Sequence, residues 1–450
     1  MKIDLLIYGD LVLPDGILPG GAIGIKDGAI AWIGRRGQEG IEAGRTVDAA
    51  GKLVLPGAID AHVHCYSSLE EGTRTATRSA AAGGVTTIIE MPYDATGMVC
   101  TAEMLQEKKE RMETEAAVDF ALLATIRKEG AFDDIIAMAE AGACGFKVSM
   151  FNTDSFRFPR IDDGRLYQAF GVIAETGVPV GVHCETDEIV RLSIAKYESL
   201  GRDPRAHCWS RPKVAEATAA NTVMQLALHT GAKLHLYHCT FPEIFEAVHH
   251  YTDRGANITA ETCTHYLLFH EEDMLRLGPK GKINPPLRQA GDVEGLWRLM
   301  AEGKIDMVTS DHAPWKLDRK SDPDIFRNSS GAPGVETLLP ILFSEGVASG
   351  RIPITELVKL VSEKPAERFG LGSRKGKLRV GLDADIVIMD PNASGTLDEA
   401  KQHSSAGWSL YHGMNLQGRI EQTYVRGQLV YDGEQVQEGE FGRFVQPNHL

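Results

Sequence analysis

Apolar and polar positions alternate in short runs over residues 1–55, where segments such as DLLIYGDLVL and GAIGIKDGAIAWIG are broken by Asp-Gly and Gly-Gly dipeptides. Runs of this length between turn-forming residues predict β-strands. From about residue 53 short apolar strands alternate with helical segments such as TAEMLQEKKERMETEA and AANTVMQLALHTG, which predicts βα units and a parallel sheet. After about residue 372 the β pattern returns in GKLRVGLDADIVIMD and RIEQTYVRGQLVYDG.

Eight strand candidates lie in the middle of the chain: VLPGAIDAHVH, VTTIIEMP, VDFALLA, GFKVSM, VPVGVHCE, KLHLYHC, NITAETC and DMVTSDH. A (β/α)₈ TIM barrel consists of eight strands that alternate with helices. The sequence therefore predicts an α/β protein with a small β-sandwich domain built from both chain termini. Residues 1–52 would form the N-terminal part of the sandwich, residues 53–372 the barrel, and residues 373–450 the C-terminal part and a tail.

Composition narrows the possible partners and the cellular setting. The 450 residues carry a net charge of −15, which argues against nucleic acid or an anionic membrane as a partner. The N-terminus reads MKIDLLIYGD, which is not typical of a signal peptide, and no apolar stretch reaches the length of a membrane span. The seven cysteines form no CxxC pair, so we expect no disulfide framework and a cytoplasmic protein.

The clearest chemical motif is Asp60-Ala61-His62-Val63-His64, at the end of the first predicted barrel strand. Alternate side chains of a strand share a face, so His62 and His64 can chelate one metal ion. Taken alone, the pair fits equally well an ordinary polar pair on a half-exposed strand.

Further candidate ligands end later strands, on the face where the active sites of this barrel lie. They are Lys147 in GFKVSM, His183 in VGVHCE, His238 in LYHC and Asp311 in TSDHAPW. Lys147 stands between apolar residues, and a buried charge there requires a partner. The partner could be a metal centre or simply a carboxylate that meets the amine.

These motifs, with PGAIDAHVH, AAAGGVTTIIEMP, ETCTHYL, KINPPLR, GLDADIVIMD and VRGQLVYDG, resemble the cyclic-amidohydrolase branch of the amidohydrolase superfamily. That branch contains hydantoinases, allantoinases, dihydropyrimidinases and dihydroorotases. The resemblance covers nearly the whole chain. It implies a small cyclic amide as substrate and a homo-oligomer, commonly a tetramer.

The resemblance also implies a set of ligands for two divalent cations. His62 and His64 would bind the first, more buried metal together with Asp311. His183 and His238 would bind the second, and Lys147 would bridge both after carbamylation by CO₂ to N6-carboxylysine. Imidazole and carboxylate ligands suit zinc and also accept manganese or cobalt. A hydroxide shared by the metals would attack the ring carbonyl, while Asp311 carries its proton to the leaving nitrogen.

The substrate contacts are less sharply indicated. By resemblance, Asn284 in KINPPLR and Gly334 in GAPGVE face the cyclic amide, although Asn284 could equally cap a turn. Dihydroorotases usually carry an arginine where this chain has Tyr66, and dihydropyrimidinases and D-type hydantoinases usually carry a tyrosine where it has Asn152. By the same resemblance, Tyr66 and Asn152 are expected to lie at the substrate. The chain therefore resembles allantoinases and L-type hydantoinases most, and it is expected to open a five-membered ureide ring such as allantoin or a 5-substituted hydantoin.

Several alternatives remain open. They are a dihydropyrimidinase-type or dihydroorotase-type cyclic amidase, a non-catalytic relative, and an esterase, lactonase or deaminase on the same scaffold. Cys65, Cys184 and Cys239 each follow a proposed histidine ligand, but neighbours on a strand face opposite sides, so we interpret them as buried apolar thiols. The roles of His265 and His312 stay open.

Overall fold

The computed structural model describes residues 1–37 and 40–449. Its first strands are β1 (Lys2–Leu13), β2 (Gly16–Lys26), β3 (Ala29–Arg35) and β4 (Glu42–Pro56). The turn between β2 and β3 consists of Asp27 with a φ of 51° and Gly28 with a φ of 80°. Two consecutive positive φ values are the requirement of the tight hairpin turn that Asp-Gly favours. The β structure expected for this part of the chain is confirmed.

The next ten strands contain the barrel and one short hairpin. They are β5 (Ala58–Val63), β6 (Val85–Glu90), β7 (Tyr93–Asp94), β8 (Gly97–Met98), β9 (Asp119–Ala124), β10 (Gly145–Ser149), β11 (Val180–His183), β12 (Leu234–Leu236), β13 (Ile258–Cys263) and β14 (Met307–Thr309). Strands β7 and β8 pair with each other, and the other eight form one sheet in the order β5-β6-β9-β10-β11-β12-β13-β14. All eight predicted barrel strands are confirmed.

The barrel closes beside the proposed metal ligands. The main-chain N–H of His64 donates to the carbonyl of His312 over 2.9 Å, and the N–H of His312 donates to the carbonyl of His62 over 3.2 Å. These bonds join the end of β5 to the segment after β14. Residues of the first and last strands are therefore held side by side at one rim of the barrel.

Helices surround the barrel. They are α1 (Gly72–Ala82), α2 (Ala102–Glu113), α3 (Asp133–Glu140), α4 (Asp163–Thr176), α5 (Asp187–Tyr197), α6 (Ala206–Trp209), α7 (Lys213–Thr230), α8 (Pro242–Asp253), α9 (Met274–Leu277), α10 (Ala290–Ala301), α11 (Leu338–Leu342), α12 (Ile354–Val358) and α13 (Lys364–Arg368). In α4 the sequence determines where the helix begins and ends. The Asp162 carboxylate accepts a hydrogen bond from the main-chain N–H of Arg165 at the first turn, and Gly177, with a φ of 72°, ends the helix. Among the described residues, no helix has the length and apolar character needed to cross a membrane.

The last strands return to the terminal sheet. They are β15 (Ile386–Thr396), β16 (Asn415–Val425) and β17 (Gln428–Tyr431), and the seven-stranded sheet has the order β17-β16-β15-β4-β1-β2-β3. Strand β15 pairs antiparallel with β4, with Ile386 opposite Pro56, so both chain ends build one unit as predicted.

A buried ion cluster joins this unit to the barrel. The Lys375 ammonium lies 2.5 Å from Asp119 of β9, 2.9 Å from Asp383 and 2.7 Å from Asp385. The three carboxylates, which could otherwise be taken for a cation site, thus already hold a lysine. All seven cysteines are buried and unpaired, in line with the expected absence of disulfides.

Candidate metal centre

Six predicted ligands meet around one cavity at the carboxyl ends of the barrel strands. The residues that line it include His62, His64, Lys147, His183, His238 and Asp311. His62, Lys147 and His183 lie on β5, β10 and β11, and the other three lie in the segments that follow β5, β12 and β14. Side chains far apart in sequence converge because parallel strands all end at the same rim.

Three of these side chains form one group of possible ligands. The Nε2 atom of His62 lies 3.0 Å from Oδ1 of Asp311, and Nε2 of His64 lies 3.5 Å from the same oxygen. The ligand atoms of this group all lie within 4.8 Å of one another. The Lys147 amine donates to Nε2 of His62 over 2.7 Å, which places the lysine against this group.

A second pair of imidazoles faces the same cavity. Nδ1 of His183 lies 2.9 Å from Nε2 of His238. His238 and Asp311 both have left-handed backbones, with φ values of 42° and 47°. Such backbones are uncommon for residues other than glycine and are concentrated at functional sites.

The ring nitrogens that face away from the cavity are held by other side chains. His62 donates from Nδ1 to Glu261 over 2.6 Å, and His183 donates from Nε2 to Glu185 over 2.8 Å. The third, His64, has Nδ1 at 3.2 Å from the Ser67 hydroxyl. The two bonds to carboxylates fix the tautomers of His62 and His183 and leave the lone pair of the other ring nitrogen free to bind a metal ion, as metal-ligating histidines require.

Sequence reasoning missed Glu185, Glu261 and Ser67. Glu185 closely follows β11 and Glu261 lies within β13, so the argument that singled out Lys147 applied to them as well: a buried charge on or beside a barrel strand needs a partner. The sequence gives no comparable sign for Ser67.

Burial sets the charge of the site. It lowers the pKa values of His62, His64 and His238, so these imidazoles are neutral and able to bind a cation. It also lowers the pKa of Lys147 to about 8, against the opposing effect of Asp311. Burial works against ionisation of Glu185, but the Arg211 guanidinium and His183 outweigh it and hold its pKa at about 2.

The donor set fits a pair of divalent cations. Four imidazoles and one carboxylate are ligands that zinc and similar metals prefer. His62, His64 and Asp311 are grouped closely enough to share one ion. His183 and His238 present two nitrogens to the space beside Lys147.

Of the predicted substrate contacts Asn284, Gly334 and Asn152, only Asn284 lines the cavity. Asn284 lines the cavity, and its buried Oδ1 has no hydrogen-bond partner among the described residues. Gly334 lies behind the lining, where its N–H donates to Nδ1 of His312 over 3.1 Å. Asn152 is exposed and donates its side-chain amide to Ser155 over 2.9 Å.

Tyr66 also lies away from the cavity. Its hydroxyl is 2.5 Å from Oγ1 of Thr73, and the Arg111 guanidinium lies 3.8 Å from the centre of its ring. The residue is buried in the packing behind the rim, so the structure does not bring it to the predicted substrate site.

Three aromatic residues that the sequence analysis did not single out lie at the predicted substrate site. Tyr93, Phe158 and Trp315 line the cavity, and the rings of Tyr93 and Phe158 are 4.8 Å apart. Tyr93 lies in the short strand β7, and Phe158 and Trp315 lie on loops, where sequence pattern says little about the direction of a side chain.

The three cysteines that follow proposed ligands, and His265 and His312, do not line the cavity. Cys65, Cys184 and Cys239 are buried and absent from the lining, as predicted. His265 is buried against Tyr266, with 4.1 Å between ring centroids, and it does not line the cavity. The ring of His312 lies between Glu71 and Gly334.

Comparisons with known proteins agree with this geometry. Residues 53–430 match the amidohydrolase family. The chain is 38% identical to an allantoinase of Rubrobacter xylanophilus, over 99% of this chain and 98% of that protein. It is 34% identical to an L-hydantoinase of Paenarthrobacter aurescens, over 97% of this chain and 96% of that protein. The solved structure of an L-hydantoinase (dihydropyrimidinase) from Arthrobacter aurescens superposes with a TM-score of 0.95, at 34% identity, over 99% of this chain and 100% of that one.

An eight-stranded parallel barrel that gathers side chains of metal-ligating type at its carboxyl rim is the architecture of a barrel enzyme. The chain belongs to the amidohydrolase family. The resemblance to its cyclic-amidohydrolase branch is confirmed, and the protein is an enzyme of that class.

Proposed function

We propose that the enzyme hydrolyses the ring amide of a five-membered cyclic ureide, such as allantoin or a 5-substituted hydantoin, with two divalent cations, most simply zinc. The convergence of six side chains of metal-ligating type on one cavity carries this proposal. The similarity to allantoinases and to an L-hydantoinase supports the substrate class.

His62, His64 and Asp311 would hold the first cation, and His183 and His238 the second. Lys147 would bridge them as N6-carboxylysine. Its buried amine lies 2.7 Å from Nε2 of His62, and among the described residues it has no carboxylate within ion-pair distance. Addition of the neutral amine to CO₂ forms one N–C bond and releases one proton. It converts the neutral amine into an anionic carbamate, which suits a site for two cations.

When bound, such cations lower the pKa of water and polarise the ring carbonyl. Asp311 is placed to take the proton of the attacking water and deliver it to the leaving nitrogen, because its Oδ1 faces both His62 and His64 inside the cavity. The Asn284 amide would orient the ring, and its unpartnered Oδ1 would accept from a ring N–H. Tyr93, Phe158 and Trp315 would exclude bulk water from the reacting bond.

The lining favours a neutral ring with an apolar or small polar substituent. Among the described residues that line the cavity there is no arginine, and Tyr66 faces away from it. A ring that carries its own carboxylate, as in dihydroorotate, would therefore lack a guanidinium partner. Dihydropyrimidinase-type activity on a six-membered ring is the second candidate, because the L-hydantoinase structure that superposes on this chain is also named a dihydropyrimidinase.

A substrate panel with metal-loaded enzyme tests the proposal. It contains allantoin, hydantoin, 5-substituted hydantoins, dihydrouracil, dihydroorotate and a lactone, with metal content measured on the same preparation. We expect close to two cations per chain and the highest kcat/KM on a five-membered ureide. Preference for dihydroorotate or the lactone, or activity in a preparation free of metal, would contradict the proposal.

We also propose that the enzyme works as a homotetramer in a reducing cytoplasm. The seven buried, unpaired cysteines support the reducing setting. Sedimentation equilibrium of the metal-loaded protein tests the oligomeric state, and a monomer would contradict it.

A further inference from the structure

Glu261 lies on β13 beneath the proposed metal ligands. Its side chain is completely buried, and it does not line the cavity. It therefore cannot touch a substrate, and its effect on the reaction has to pass through other residues.

The two carboxylate oxygens of Glu261 serve both groups of ligands. Oε1 accepts from Nδ1 of His62 over 2.6 Å and from the main-chain N–H of His238 over 3.2 Å. His62 belongs to the group proposed for the first cation, and His238 to the pair proposed for the second. Glu185, by comparison, contacts only the imidazole of His183 among the proposed ligands.

Each bond controls a different property. The bond to His62 keeps the proton on Nδ1, so that the lone pair of Nε2 faces the cavity. The bond to His238 holds the N–H of a residue whose backbone has a φ of 42°. A left-handed backbone in a residue other than glycine persists only where its surroundings stabilise it.

His235 supports the other oxygen of Glu261. Its Nε2 donates to Oε2 over 3.2 Å, and its Nδ1 lies 2.9 Å from the Thr259 hydroxyl, which fixes the tautomer. The ring of Tyr237 packs edge-on against both His235 and His62, with 4.8 Å between centroids in each pair. The result is a buried hydrogen-bonded chain, Thr259–His235–Glu261–His62, inside the barrel.

We infer that Glu261, held by His235, is a positioning residue that sets ligands of both cations at once. This inference rests on the cation pair of the proposed function. A carboxylate that orients a ligand of only one cation would affect the affinity for that cation alone. Loss of the Glu261 carboxylate is instead expected to weaken the binding of both cations.

Glu261→Gln tests the inference. It keeps the shape of the side chain but replaces one carboxylate oxygen with an amide N–H₂, which cannot accept the hydrogen bonds that His62, His235 and His238 donate. Stepwise affinities are measured by chelator competition, and the visible spectrum of the cobalt-loaded protein reports the coordination. We expect both affinities to fall by roughly 10–100-fold with an altered cobalt spectrum. Glu185→Gln should weaken one affinity only. Asp119→Asn removes an equally buried carboxylate at the other end of the barrel, and it should lower Tm without changing either affinity.

His235 provides the second test, in case Glu261→Gln does not fold. His235→Leu removes the donor to Glu261, whereas His235→Gln can keep one, so the cation affinities should fall in the first variant and recover in part in the second. Unchanged affinities in Glu261→Gln, a loss confined to one cation, or equal affinities in the two His235 variants would overturn the inference. If the wild-type protein binds no cation, the proposed function fails as well; if it binds two and the variants match it, only this inference fails.

Discussion

The Nδ1 atom of His312 accepts a hydrogen bond from the main-chain N–H of Gly334 over 3.1 Å. Its Nε2 donates to Glu71 over 3.1 Å, so both ring nitrogens are engaged. Glu71 also accepts from the N–H of Ser405, which ties this rim of the barrel to the C-terminal part of the chain. His312 therefore holds a loop beside the cavity, and it is not free to carry a proton.

His312→Leu should raise KM while leaving metal content intact. The loop at Gly334 loses a buried acceptor worth about 0.5–1.5 kcal/mol, which corresponds to roughly a 2–10-fold change. Steady-state kinetics on the best ureide, with metal analysis, measure both. A large fall in kcat at normal KM would instead indicate that His312 takes part in proton transfer.

Asp311→Asn separates metal binding from proton transfer. The amide oxygen can still face His62 and His64, but the base is gone. General-base contributions are typically about 10²–10⁴ in rate, or roughly 3–5 kcal/mol, so kcat should fall by that factor with little change in KM. The measurement needs matched metal content in both proteins. A variant with two cations and near-normal kcat would show that another group carries the proton.

Lys147→Ala should lose both cations and the activity. Removal of the bridging group leaves the two groups of ligands without a shared anion, and short carboxylic acids with bicarbonate should restore part of both. Lys147→Arg should not substitute, because a guanidinium stays charged and does not form a carbamate. Intact mass and metal analysis check the result; an unmodified Lys147 beside two fully occupied sites would contradict the bridging role.

Asn284 and Tyr66 form a matched pair of variants. Asn284→Ala removes an unpartnered Oδ1, so Tm should hardly change while KM rises by roughly 5–100-fold, the equivalent of about 1–3 kcal/mol of lost polar contact. Tyr66→Phe removes the bond to Thr73 and should lower the free energy of unfolding by about 1 kcal/mol with KM unchanged. A rise in KM for Tyr66→Phe with an unchanged KM for Asn284→Ala would contradict this prediction and would indicate that Tyr66 contacts the substrate.

The fold was predictable because periodicity is a local property. The eight barrel strands and the β-rich termini follow from local patterns of apolar and polar residues, and the convergence of His62 and Asp311 on one cavity follows from the barrel that those strands form. The placement of Tyr66 was not predictable. It stands in a loop just after β5, where the direction of a side chain is decided by partners such as Thr73 and Arg111 from elsewhere in the fold.

The supporting carboxylates show a second limit. Glu261 contacts His62 across 199 positions of sequence, and no spacing rule connects them. The strand pattern marks such a residue as a charge that needs a partner, but the partner becomes visible only when the strands are assembled. Sequence patterns therefore indicated the proposed ligands but not which groups orient them.

The left-handed backbone of His238 has a consequence for any effort to make this enzyme more heat-resistant. Glycine adopts a φ of 42° without the steric cost, roughly 1–2 kcal/mol, that other residues bear there. The same change would remove a buried imidazole that packs against the rings of His62 and His183. Backbone relief and lost packing oppose each other at this position, so survival on heating alone does not report whether the imidazole is retained, and a screen has to score turnover as well.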